Sequence, residues 1–145
     1  MTVDKHARVT WQGDLSSGTG TIEEVGSGAF SGLPVTWAAR TGERADLTSP
    51  EELIAAAHAS CFSMSFASRL GKNETPPSRL TVTATVTFVP GTGVTTSALV
   101  VDADVPGVDE ATFLDLAEDA RQKCPVSQAL SGNVEITLDA TLSSS

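Results

Sequence analysis

Hydrophobic and polar positions alternate along this chain with two different periods, and the changes of period mark its elements. Positions 6–12 carry Val9 and Trp11, 19–25 follow, and 34–40 carry Val35 and Trp37. These read as three short strands, and the glycines between them (Gly13, Gly18, Gly26, Gly28, Gly32) suit hairpin turns. Positions 41–47 are polar and read as a loop. A helix start follows: Ser49 as N-cap, Pro50 at the first helical position, and Glu51 and Glu52 in the first turn, with Glu52 at capping-box spacing from Ser49. From 53 to about 70 the residues are mostly small or apolar, with Arg69 near the end and Gly71 as the expected C-cap. This stretch has no evident solvent face, so it is expected to be covered on most sides.

Strict alternation returns at 80–89, where Val82, Ala84, Val86 and Phe88 face one way and threonines the other. Pro90 and Gly91 make a turn, and 94–105 pairs back as a hairpin. Asp109 and Glu110 open a second amphipathic helix whose stripe is Phe113, Leu116, Ala117, Ala120 and Cys124. Pro125 starts a further turn, Gly132 closes it, 134–142 alternates as a last strand, and the serines at 143–145 are expected to fray. Three strands, a helix, two strands, a helix and a strand make an α+β chain with mostly antiparallel strands. Either the strands wrap the apolar helix completely or a second copy covers it in a homodimer.

The length, 145 residues, fits one domain spanning 1–145, and 40% hydrophobic content supports a real core. Eighteen acidic residues against 9 basic leave a net charge of -9, with no basic run. That argues against nucleic acid and anionic membranes as partners. The apolar stretch is broken by His58, Ser60, Ser63, Ser65 and Ser68, which excludes a transmembrane helix there. The first residues lack the pattern of a secretory signal, so a cytoplasmic location is expected. Thiols in that compartment are seldom structural disulfides; they are catalytic, redox-active or simply buried.

Only two cysteines are present. Cys61 lies mid-helix, where the helix dipole does little for a thiolate, so a chemical role requires a cation from elsewhere in the fold. Arg40 is the candidate expected to point inward, whereas Arg44 lies in the polar loop. Cys124 precedes a proline, which ends its helix and makes it the N-cap of the next turn, where free N–H groups favour a thiolate. A redox pair and a pair of packing residues both fit this pattern. His58, three residues before Cys61, shares its helix face. It suits a packed, hydrogen-bonded structural role better than a Cys61–His58 hydrolase. Two histidines and two cysteines make no convincing ligand set, so no metal is expected.

The segment 49–64, Ser-Pro-Glu-Glu-Leu-Ile-Ala-Ala-Ala-His-Ala-Ser-Cys-Phe-Ser-Met, resembles a signature of the OsmC/Ohr family, the osmotically inducible and organic hydroperoxide resistance proteins. Cys124-Pro125-Val126-Ser127-Gln128-Ala129-Leu130 resembles its second signature, and the first is closer to the OsmC branch. The resemblance covers essentially the whole chain. It implies antiparallel sheets around a long buried central helix in an intertwined homodimer with its sites at the interface. It further implies a thiol peroxidase for organic hydroperoxides in oxidative stress defence, needing no cofactor and recycled by an external dithiol, often a lipoyl group. Cys61 becomes the peroxidatic thiol and Cys124 the resolving one, joined in a disulfide during turnover. Arg40 would stabilise the thiolate and the peroxide, and Glu51 would orient Arg40. Ten helical residues place Glu51 roughly 15 Å from Cys61 of its own chain, so Glu51 is expected to come from the partner chain. Phe62, Met64 and Phe66 are the expected apolar pocket walls. The alternative reading is a non-catalytic dimer that binds a small hydrophobic ligand, its thiols structural.

Overall fold

The computed structural model describes residues 1–144, in two compact units, Met1–Leu53 and the residues from Ile54 onwards. In the first unit, strands β1 (Ala7–Gln12), β2 (Thr19–Val25) and β3 (Leu33–Val35) form an antiparallel sheet in that order. Gly20 lies opposite both Trp11 and Val35, and a Cβ there would meet the Trp11 ring at 2.7 Å and the Val35 side chain at 2.9 Å. A bare backbone lets the indole lie across β2. The expected third strand stops at Val35, and a short helix, α1 (Trp37–Thr41), takes its place. The cause is local. The Thr36 hydroxyl accepts from the Ala39 N–H at 3.0 Å as an N-cap, and Gly42, at φ +90°, closes the turn in the left-handed region. Of this unit's hydrophobic side chains only Ile22 and Ala39 are buried, and Trp11, Leu15 and Phe30 stay exposed.

Helix α2 (Pro50–Lys72) starts as expected, the Glu52 N–H donating to the Ser49 hydroxyl at 3.1 Å. It runs through Gly71 rather than ending before it, because the C-terminal turn is closed further on, by Asn73 N–H to Arg69 and Thr75 N–H to Leu70. Its buried stripe in the second unit is His58, Phe62, Phe66 and Leu70, four residues apart on one face. Within one chain the opposite side is open: Ala56, Ala57, Ser60 and Ser68 are exposed, and Met64 is 70% exposed.

The second unit packs that stripe on a three-stranded sheet of order β4 (Arg79–Val89), β5 (Gly93–Asp104), β6 (Glu135–Ser144). β4 and β5 form the expected antiparallel hairpin, with alternating burial along β4. β6 instead lies parallel to β5, pairing from Thr96↔Glu135 onwards. A parallel neighbour needs a long crossover, which α3 (Glu110–Lys123) and α4 (Pro125–Leu130) supply. Asp109 caps α3, accepting from the Thr112 N–H at 3.1 Å. Ser143 and Ser144, expected to fray, belong to β6, and the Val105 N–H donates to the Ser144 carbonyl at 2.8 Å; Ser145 lies outside the described residues. The α+β class with mostly antiparallel pairing stands.

Phe62, Phe66 and Phe113 form the centre of the core, with ring centroids 5.6 and 5.3 Å apart at tilted angles. Leu99, Val101, Ala103 and Val105 close it from the sheet side. Phe66→Ala is therefore expected to cost about 3–5 kcal/mol, read as a lowered denaturation midpoint; an unchanged midpoint would show that the core lies elsewhere. Among the described residues no helix is long and apolar enough to cross a membrane.

Candidate functional site

The second unit brings the two cysteines together. Both are free thiols; Cys61 is partly exposed on α2, and Cys124 is fully buried between α3 and α4. The two sulfurs are close enough to influence one another's ionisation, and the Val126 backbone N–H lies near enough to the Cys61 sulfur to favour its thiolate. Burial pushes the Cys61 thiol up, the Val126 N–H pulls it down, and the neighbouring Cys124 sulfur pushes it up again. The sequence assigned the donors at the Cys-Pro break to Cys124. The fold corrects this: Cys124 is the N-cap of α4 but makes no side-chain capping bond, its own N–H closes α3 on Ala120, and the Val126 N–H serves Cys61. The reason is that Cys124 turns its side chain into the core.

His58 has the structural role expected of it. Its ring is fully buried, with Nδ1 2.6 Å from the Ser97 hydroxyl and Nε2 2.8 Å from the Ser127 hydroxyl. Burial holds it below the usual histidine range. With both ring nitrogens engaged by serines, neither is left to take a proton from Cys61, which removes the hydrolase pairing.

The first unit holds the other expected pair. Arg40, in the last turn of α1, meets Glu51, in the first turn of α2. The guanidinium Nε and Nη2 both reach Glu51 Oε1, at 2.9 and 2.8 Å. This corrects the expectation that Glu51 reaches Arg40 from a partner chain. The two belong to one chain, because the helical turn at 37–41 folds Arg40 back onto the start of α2, where an extended strand would have carried it away. Glu51 is 6% exposed, and its second oxygen, Oε2, has no hydrogen-bond partner among the described residues. A buried, half-satisfied carboxylate is costly. Arg44 sits in the loop as expected, paired with Asp46 in the open.

The expected pocket walls need correction. Phe62 and Phe66 are sealed in the core at 0% exposure, and only Met64 looks outward. Spacing explains this: 62 and 66 share the stripe of His58 and Leu70, whereas 64 lies on the other side of the helix. An apolar cavity of about 190 Å³ lies instead in the first unit beside Arg40, lined by Trp11, Leu15, Val35, Thr36, Trp37 and Pro50. In the sequence, Trp11, Val35 and Trp37 served as strand markers and Pro50 as a helix start. A usable signal was present, since the chain's two tryptophans are both among them.

Known proteins resemble this chain in sequence and in fold. The family OsmC, described as OsmC-like protein, matches residues 42–139. Peroxiredoxin OsmC of Escherichia coli (strain K12) is 40% identical over 148 residues, covering 99% of this chain and 100% of that one. An organic hydroperoxide resistance protein of Xanthomonas axonopodis pv. citri (strain 306) is 32% identical over 101 residues, 67% of this chain and 69% of its own. Among solved structures, an organic hydroperoxide resistance protein from Elizabethkingia anophelis superposes with a TM-score of 0.68 at 26% identity, covering 98% of this chain and 99% of the other.

Proposed function

Since this chain belongs to the OsmC-like protein family, we propose that it is a thiol-dependent peroxidase, a single domain over 1–145 that reduces organic hydroperoxides to alcohols in cytoplasmic defence against oxidative stress. The observation that carries this reading is that the two free thiols, Cys61 and Cys124, lie beside one another next to the Val126 N–H. The Cys61 thiolate attacks the outer peroxide oxygen, the O–O bond breaks, and the alkoxide leaves with a proton as alcohol. Cys61 is then a sulfenic acid. The Cys124 sulfur displaces its hydroxyl as water, and the Cys61–Cys124 disulfide forms. An external dithiol, of lipoyl type by family resemblance, returns both thiols by exchange and is itself oxidised.

Arg40 supplies the cation that this thiolate lacks on its own helix, and Glu51 holds the guanidinium in one orientation. We place both at Cys61 of a second copy. Glu51 and Cys61 are ten residues apart on a continuous helix, so α2 keeps them well separated within one chain. The exposed Trp11, Leu15, Phe30 and Met64 support a second copy as their cover. In that homodimer the cavity beside Arg40 takes the organic group of the hydroperoxide, and Met64 is offered as a further wall.

The test is a thiol titre. One equivalent of cumene hydroperoxide is expected to consume both thiols of each chain and yield an intramolecular disulfide. An unchanged titre would favour the other reading, a non-catalytic dimer that binds a small hydrophobic ligand with structural thiols.

A further inference from the structure

Two apolar stripes of the second unit each end in a polar residue. On α2 the series Phe62, Phe66, Leu70 is preceded by His58, and on β5 the series Leu99, Val101, Ala103 is preceded by Ser97. His58 meets two serines, Ser97 and, on the first turn of α4, Ser127: Nδ1 lies 2.6 Å from the Ser97 hydroxyl and Nε2 2.8 Å from that of Ser127. All three residues are buried, at 0%, 0% and 2% exposure. Burying three polar groups where hydrophobic side chains would fit is unfavourable unless each is bonded. Here each is, in a linear relay from sheet to histidine to α4.

What the relay holds is the turn that touches Cys61. Ser127 directly follows Val126, whose N–H lies near the Cys61 sulfur and favours its thiolate, and α4 has no side-chain cap of its own. His58 sits one turn before Cys61 on α2. We propose that His58 is a positioning residue for the thiol pair: held on α2 one turn before Cys61, it grips Ser127 and so keeps the Val126 N–H at the Cys61 sulfur, while Ser97 only satisfies its other nitrogen. A neutral imidazole suits this part, since one nitrogen donates and the other accepts while each serine hydroxyl rotates to match. The proposal rests on the peroxidase reading only for its effect on turnover, because thiol ionisation is measured without peroxide.

The chain has no tyrosine, so far-ultraviolet thiolate absorbance reports cysteine without tyrosinate interference. Cys124→Ser leaves Cys61 as the one titrating thiol. In that background Ser127→Ala is expected to move Cys61 ionisation to higher pH, an about tenfold loss of thiolate at neutral pH. Ser97→Ala removes a bond of the same kind, lowers the melting temperature comparably, and is expected to leave the ionisation where it was. His58→Gln places its amide near Nε2 and keeps the Ser127 link, so it should titrate like the parent. His58→Asn reaches only the Nδ1 position and should behave like Ser127→Ala. If Ser127→Ala does not fold, the two His58 variants read the same link. Equal shifts in both serine variants, or none in either, would overturn the proposal, as would His58→Asn and His58→Gln titrating alike.

Discussion

Cys61→Ser is expected to abolish turnover of cumene and tert-butyl hydroperoxide, by more than about a thousandfold, while Cys124→Ser performs one turnover and stops. The difference follows from where the sulfurs sit. Cys61 is partly exposed and has a backbone donor on its sulfur, and Cys124 is fully buried in the core. A serine hydroxyl at 61 is far too weak a nucleophile to cleave the O–O bond, and the sealed Cys124 is in no position to take over. With Cys124 replaced, the first attack still releases one alcohol per chain. The sulfenic acid then has no neighbouring thiol to condense with and persists until a trapping reagent or excess peroxide consumes it. Mass spectrometry of the trapped adduct at Cys61, with one equivalent of alcohol released, is the decisive measurement. Multiple turnovers by Cys61→Ser would reverse the assignment of the two thiols.

The periodic parts of the chain were legible because their signals are local. β1, β2, β4 and the start of α2 lie where alternation and the Ser49–Glu52 box put them. The failures share one cause, a competitor too small or too distant to see in a window. Positions 34–40 read as a strand through Val35 and Trp37, but one hydroxyl bond from Thr36 and a left-handed Gly42 tip 37–41 into a turn of helix. β6 alternates as an antiparallel strand would; only the crossover through α3 and α4 makes it parallel to β5. The site shows the same split. Two family signatures marked Cys61 and Cys124, while the Val126 donor, the Ser97–His58–Ser127 relay and the tryptophan-lined cavity depend on tertiary placement. Phe62 and Phe66 went to the core for a reason present in the numbering itself: they share the stripe of His58 and Leu70.

Arg40→Met is expected to lower the peroxidase rate at neutral pH by about a hundredfold and to change the shape of its pH profile. The sign follows from the thiol. Burial and the Cys124 sulfur both raise the Cys61 thiol, and among the described residues of the second unit the Val126 N–H alone opposes them. Without a cation, thiolate is scarce at neutral pH and grows with each step upward, so the variant's rate should climb across the neutral range. If the proposed guanidinium brings the parent's thiol down, the parent should be flat there. Arg40→Lys keeps the charge but loses the fork by which Nε and Nη2 grip Glu51 Oε1, so it should retain the flat profile at a reduced rate. Glu51→Gln retains an acceptor for Arg40 and is expected to lose less than Glu51→Ala, which frees the guanidinium to swing. Because the proposed site spans two copies, mixing the weakly active Arg40→Met with inactive Cys61→Ser should restore up to about a quarter of parental activity, as subunit exchange creates sites with both residues intact. An Arg40→Met protein with parental rate and a flat profile would leave the thiolate without its assigned cation. A mixture that stays inactive after proven exchange would return Arg40 to the chain of the Cys61 it serves.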